Sequence, residues 1–218
     1  MIVLDIEASG VNNGICGLWQ IGAIELENPE NQFIEECRID DHDAVEEGAI
    51  KITGRSEEQM RDPTKQSQKQ LILNFFKWVK TCKDRIIIGQ NIGWDLTFLQ
   101  NKSREYDITM EFRKTIGYKG LDTYTIAQLK YLEKNGKFAM KEDGRGDMGL
   151  HKVLELCGIE DNRMALDGLK IKNEGKPHNA LEDAKLTAEC FSRLMYGKKL
   201  ISEFEEFEIP EEFKKWWK

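Results

Sequence analysis

The spacing of apolar residues in this chain changes character once, near residue 44, and that change limits the possible folds more than any other feature. Before it, Ile2 to Ile6 is β-branched and apolar with an acid interposed, and it runs into a turn at Ser9-Gly10. Trp19 to Leu26 and Phe33 to Ile39 have the same strand character and are parted by the turn-forming run Glu27-Asn28-Pro29-Glu30-Asn31. Three consecutive strands with short links predict an antiparallel meander.

Beyond residue 44 the spacing becomes helical. Gln68 to Val79 places Leu71, Ile72, Phe75, Phe76 and Val79 on one face of a helix, and Arg85 to Gly89 is then a short buried strand. A helix over Asp95 to Asn101 follows. Tyr118 to Leu121 predicts another short strand, after which Asp122 or Thr123 caps a helix reaching about Glu133. The order βββ, αβ, αβα predicts an α/β fold with one mixed five-stranded sheet, meander plus parallel strands, flanked by helices.

The remainder is less regular. Residues 134–149 carry four glycines and predict a loop or loose hairpin; Gly149 to Leu156 is a short amphipathic helix stopped by Gly158. The last long helix lies within His178 to Met195. With 218 residues the chain accommodates one domain, residues 1–197, and an acidic, aromatic tail, residues 198–218, which either docks on a partner or covers its own domain.

An apolar fraction of 40% beside 33% charged residues excludes a disordered or membrane-embedded class. The net charge of −7 argues against coating nucleic acid non-specifically, which needs many cations on phosphate, but not against a nucleic-acid substrate. Five scattered cysteines with no CxxC pair argue against a disulfide framework or structural zinc. With no secretory apolar run near Met1, the expectation is a reducing, cytoplasmic setting without a membrane.

Asp5 and Glu7 stand two apart on a strand, so both carboxylates point to one face at its carboxyl end. Such a pair suits Mg²⁺ or Mn²⁺, although a solvated acidic edge strand would read alike. Asp95 sits where a strand gives way to a helix, the place ligands collect in α/β sheets and equally the place of a capping residue. His178 and Asp183 would lie about 140° apart on one continuous helix at 100° per residue, too far to share a site. They meet only if the helix starts between them. Asn179 is a good N-cap with Glu182 three residues on, as in a capping box. That start puts His178 on the entering arm, where a general base beside a metal ligand would stand.

The ordered set Asp5, Glu7, Asp95, His178 and Asp183 resembles the DEDDh, or DnaQ-like, 3′→5′ exonucleases of the ribonuclease H-like superfamily. DIEASG, GQNIGWDLTFL and HNALEDA are similar to the family's three motifs in order, and the likeness extends over residues 1–197 through WQIGAIEL, ITGRSEEQM, LDTYTIAQL and LHKVLELCGIE. Gln90 and Trp94 depart from the His and Phe usual in the second motif.

The resemblance implies a ribonuclease H-like sheet and two Mg²⁺ ions, replaceable by Mn²⁺, held by Asp5, Glu7, Asp95 and Asp183. It implies His178 as the base that deprotonates water, and release of nucleoside 5′-monophosphates from a single-stranded 3′ end. DNA, through proofreading or repair, is slightly favoured over RNA. Ala8, Ser9, Gly10, Thr53, Asn91 and Trp94 would contact substrate, Ser9 and Gly10 through backbone groups. The alternatives are an RNA-trimming exoribonuclease and a non-catalytic module that binds a nucleic-acid end or a polymerase.

Two weaker features complete the reading. Asp40-Asp41-His42-Asp43 is expected as a solvated acidic loop. Gln70 to Phe75 faintly resembles a sliding-clamp peptide, but the same residues form the core face of a predicted helix.

Overall fold

The computed structural model describes residues 1–173 and 175–214. The meander is present as β1 (Ile2–Ala8), β2 (Leu18–Glu25) and β3 (Asn28–Glu36), with β4 (Ile87–Gly89) and β5 (Gly120–Asp122) parallel to β1. The strand order is β3-β2-β1-β4-β5. β3 begins earlier than its apolar residues indicate, because the chain reverses at Leu26-Glu27 and Pro29 lies on the edge strand, where its missing N–H costs no ladder bond.

Period-two alternation along β1 divides the molecule into two layers. Ile2, Leu4, Ile6 and Ala8 enter the core shared with α3 (Gln68–Val79), α4 (Gly93–Glu105) and α5 (Thr109–Thr115). Val3 enters the other, with Ala184, Ala188 and Phe191 of α8 (Ala180–Tyr196). Asp5 and Glu7 share the parity of Val3, so they lie on the α8 side.

Helix α3 spans the residues its periodicity predicts, and Leu71, Ile72, Phe75, Phe76 and Val79 are all buried. Each contributes roughly 1.5–3 kcal/mol of transfer free energy. Burial of Leu71, Ile72 and Phe75 also withholds the clamp-like segment from any partner. The acidic loop departs from expectation at Asp43, which is buried, bonded at 2.6 Å to Lys102 Nζ and at 2.7 Å to Gln68 Nε2. A paired cation makes that burial tolerable.

Helix α6 (Thr123–Asn135) is capped by Asp122, and α7 (Leu150–Leu156) starts after Gly149. Segment 134–149 is a loose hairpin bridged at Met140 and Gly146. Three short helices, α1 (Glu47–Thr53), α2 (Glu57–Met60) and α5, lie outside the predicted set, as does the hairpin of β6 (Ala165–Asp167) and β7 (Lys170–Asn173). Each is three to seven residues long, too short to display a clear period.

The described part of the tail covers its own domain. Ile201, Ile209 and Phe213 are buried against α6, α7 and α8. Beneath them Arg193 pairs with Glu189 at 2.7 Å and donates to the carbonyls of Cys157, Phe204, Phe207 and Glu208. The Trp216 and Trp217 part of the predicted aromatic tail lies outside the described residues.

Candidate active site

Three chain segments bring carboxylates to one end of the sheet. Asp5 and Glu7 come from β1, Asp95 from the first turn of α4 directly after β4, and Asp183 from the first turn of α8. Helix α8 starts at Ala180 with Asn179 as its N-cap, whose side-chain oxygen accepts the Leu181 and Glu182 N–H groups at 3.1 and 3.3 Å. The Glu182 carboxylate bonds Lys185. Gln20, from β2, accepts the Ala180 N–H at 2.8 Å and so ties the helix start to the sheet.

The helix approaches closely because Gly22 lies beneath it. Gly22 pairs with Asp5 in the β1–β2 ladder, and a Cβ there would meet the backbone of Ala180 and Leu181 at 2.1–2.5 Å. Only glycine leaves room for this contact.

Three of the carboxylates are buried, Asp5 is half-buried, and their charges repel one another. Glu7, Asp95 and Asp183 are 8%, 4% and 4% exposed. Asp5 is held well above the usual carboxylate range, first by burial and then by the charges of Asp183, Asp95 and Glu7. Burial and Asp183 raise Glu7 to about 8, against the pull of His178 and Arg163. Burial likewise raises Asp95. Asp183 Oδ1 is buried with no hydrogen-bond partner among the described residues.

A cluster of hard oxygens with one buried, unsatisfied acceptor fits a divalent cation, which would supply the missing partner and neutralise the repulsion. Donor atoms of Glu7, His178 and Asp183 lie within 4.8 Å of one another.

His178 has both ring nitrogens engaged. Nε2 lies 3.0 Å from the Met164 carbonyl, which only accepts, so this nitrogen carries a proton; Nδ1 lies 3.2 Å from Asp183 Oδ2. Burial opposes charge on the ring, but the hydrogen bond and charge of Asp183 outweigh it and raise the His178 pKa. Arg163 also reaches Asp183 Oδ2, at 3.2 Å.

The adjoining cavity, of about 350 Å³, is bordered by Ala8, Gly10, Thr53 and Trp94 as well as Asp5, Glu7, His178 and Asp183. Trp94 donates Nε1–H to the Val11 carbonyl at 3.0 Å and packs on Phe98, so it also braces the loop after β1. Ser9 stands behind the wall, with its N–H on Gly17, its carbonyl on Glu46 and its hydroxyl on Ala44. Those backbone groups, expected to face a nucleotide, are committed within the fold. Asn91 adopts a left-handed φ of 56° and donates its N–H to Asp122, outside the cavity wall. Gln90 donates to the Met148 carbonyl at 2.8 Å.

Arg163, Glu46, Ile52 and Leu166 belong to the site or its wall without having been singled out in the sequence. Arg163 and Leu166 fall in a stretch with no periodicity. Glu46 follows an acidic run that reads as solvated.

The five-stranded order and the acids gathered at its strand ends define a ribonuclease H-like exonuclease fold. A family model described as Exonuclease, of the RNase T type, matches residues 2–191, and the chain belongs to this DnaQ-like family. It is 23% identical over 195 residues to a PolC-type DNA polymerase III of Caldanaerobacter subterraneus subsp. tengcongensis, covering 89% of this chain and 11% of that protein.

Among solved structures, apo exonuclease I superposes with a TM-score of 0.65 at 19% identity, over 90% of this chain and 42% of that one. E. coli exonuclease I in complex with a dT13 oligonucleotide gives 0.63 at 18% identity, over 88% and 40%. The chain thus spans under half the length of these proteins. Among the described residues, no helix is long and apolar enough to cross a membrane.

Proposed function

We propose that this chain is a metal-dependent 3′→5′ exonuclease that shortens single-stranded nucleic acid, DNA in preference to RNA, by one nucleoside 5′-monophosphate at a time. The observation that carries the proposal is the unsatisfied Oδ1 of Asp183, buried among carboxylates whose protonation is favoured unless a cation joins them.

Asp5, Glu7, Asp95 and Asp183 would hold two Mg²⁺ ions, with Mn²⁺ able to substitute. When bound, the ions supply charge neutralisation at the phosphodiester and activation of the attacking water. His178 would be the base that takes a proton from water; its Nε2 is held on the Met164 carbonyl and its Nδ1 beside Asp183 Oδ2, which orients the ring within the site. Ala8, Gly10, Thr53 and Trp94 border the space for the terminal nucleotide, and Trp94 offers an aromatic face beside a base. The 3′→5′ direction rests on the family. The DNA preference draws support from the oligodeoxynucleotide complex of exonuclease I, and the polymerase relative makes a polymerase the partner to examine first.

The test uses matched 5′-labelled DNA and RNA oligomers with Mg²⁺ or Mn²⁺. The proposal expects a ladder that shortens one nucleotide at a time from the 3′ end, faster on DNA, and strongly slowed by His178→Ala. Release of the label in the first turnover would reverse the direction, and equal activity in His178→Ala would remove the base.

A further inference from the structure

We infer that residues 161–164 form a clamp that positions both Asp183 and His178, with Arg163 as the positioning residue through which it acts on Asp183. The inference rests on the metal-binding reading of this site.

The clamp is rigid before it touches the site. Arg163 Nε and Nη2 each donate to one oxygen of Asp161 at 2.9 Å, a two-point fork that fixes the guanidinium plane. The Asp161 carboxylate also accepts the Arg163 N–H at 3.1 Å. The segment is pinned to the chain just before the histidine: the Met164 N–H donates to the Lys176 carbonyl at 2.7 Å, and the Lys176 N–H to the Asn162 carbonyl at 2.8 Å.

From this base two groups reach forward. The remaining guanidinium nitrogen, Nη1, donates to Asp183 Oδ2 at 3.2 Å, and the Met164 carbonyl accepts from His178 Nε2 at 3.0 Å. His178 Nδ1, also 3.2 Å from Oδ2, closes the circuit.

The consequence concerns the two oxygens of one carboxylate. Oδ2 is occupied by Arg163 and His178, whereas Oδ1 is buried and has no partner among the described residues. Holding Oδ2 stops rotation of the carboxylate and leaves Oδ1 as the atom presented to a cation. Partners of this kind behind metal-ligating carboxylates typically contribute 10–100-fold in metal affinity. Asp161 holds the arginine, the arginine holds the aspartate, and the carbonyl one residue on sets the proton position on the imidazole.

The experiment measures Mn²⁺ binding to the full chain by electron paramagnetic resonance, without substrate, alongside melting temperatures in chelator. Relative to the parent protein, Arg163→Ala is expected to weaken Mn²⁺ binding by about 10–100-fold. Asp161→Asn should weaken it less, and Arg163→Lys, which keeps the charge but not the fork, should recover part of the loss. Should Arg163→Ala fail to fold, Asp161→Asn and Arg163→Lys carry the same comparison. Mn²⁺ binding as tight as in the parent, or tighter, would make Arg163 a structural prop or a counter-cation and overturn the inference. A parent protein that binds no Mn²⁺ would instead overturn the metal reading itself.

Discussion

The backbone nitrogen of Leu181 lies 2.1 Å from the position that a Cβ on Gly22 would occupy. The first turn of α8 therefore rests directly on the strand residue that pairs with Asp5, and Asp183 is brought to β1 by that contact.

Gly22→Ala has to push α8 off the sheet, because the atoms in its way are backbone. The expected cost is about 1–3 kcal/mol of stability. A shift of about 1 Å at the helix start is enough to reduce hydrolysis roughly 100-fold. Thermal melting and oligonucleotide degradation measure the two effects, and full activity in the variant would show that α8 is not positioned this way.

Asp5→Asn separates function from stability. Asp5 is half-buried beside Asp183, Asp95 and Glu7, so a neutral amide there removes the cost of holding a carboxylate in the metal-free protein. Hydrolysis should be lost while the melting temperature in chelator rises, by about 2–4 °C for each kcal/mol relieved in a chain of this size. A variant that melts lower than the parent would contradict the electrostatic picture.

Glu7 sets a pH dependence in the metal-free protein. Its folded pKa is raised from 4.5 to about 8, so the folded state binds the proton more tightly than the unfolded chain. Its contribution is fully present below pH 4.5 and is lost as pH rises towards 8, with a magnitude on the order of a few kcal/mol. Denaturant midpoints in chelator should fall across that window, and Glu7→Gln should flatten the fall. A midpoint that rises with pH, or an unchanged slope in Glu7→Gln, would count against it.

Arg193→Ala leaves Glu189 fully buried without its cation, and strips donors from four carbonyls, three of them in the tail. Breaking a buried pair from one side costs about 3–5 kcal/mol. Urea unfolding should show that loss, and limited proteolysis should cut first within residues 198–214. Unchanged resistance there would mean that the tail is held by its apolar contacts alone.

The features legible in the sequence were those with a repeating or ordered signal. Alternation along β1 placed Asp5 and Glu7 on one face, and helical spacing marked α3 to the residue. Asn179 between His178 and Asp183 indicated where α8 starts, which is what lets the two side chains meet. Arg163 carried no such signal, since its role comes from a fork on Asp161 and a contact twenty residues away in sequence. The partners of Ser9 were hidden for a related reason: the motif sets it just after the acidic pair, but only the packing of Gly17, Ala44 and Glu46 shows what its polar groups bond. The burial of Asp43 was hidden likewise, because its partner Lys102 lies on another element.

Crystals soaked in Mn²⁺ and measured at the manganese absorption edge address the central claim most directly. The account predicts anomalous peaks within bonding distance of Asp183 Oδ1 and the carboxylates of Asp5, Glu7 and Asp95. Peaks confined to another group, such as Asp40, His42 and Glu105, or no peak beside Asp183 at saturating Mn²⁺, would contradict it.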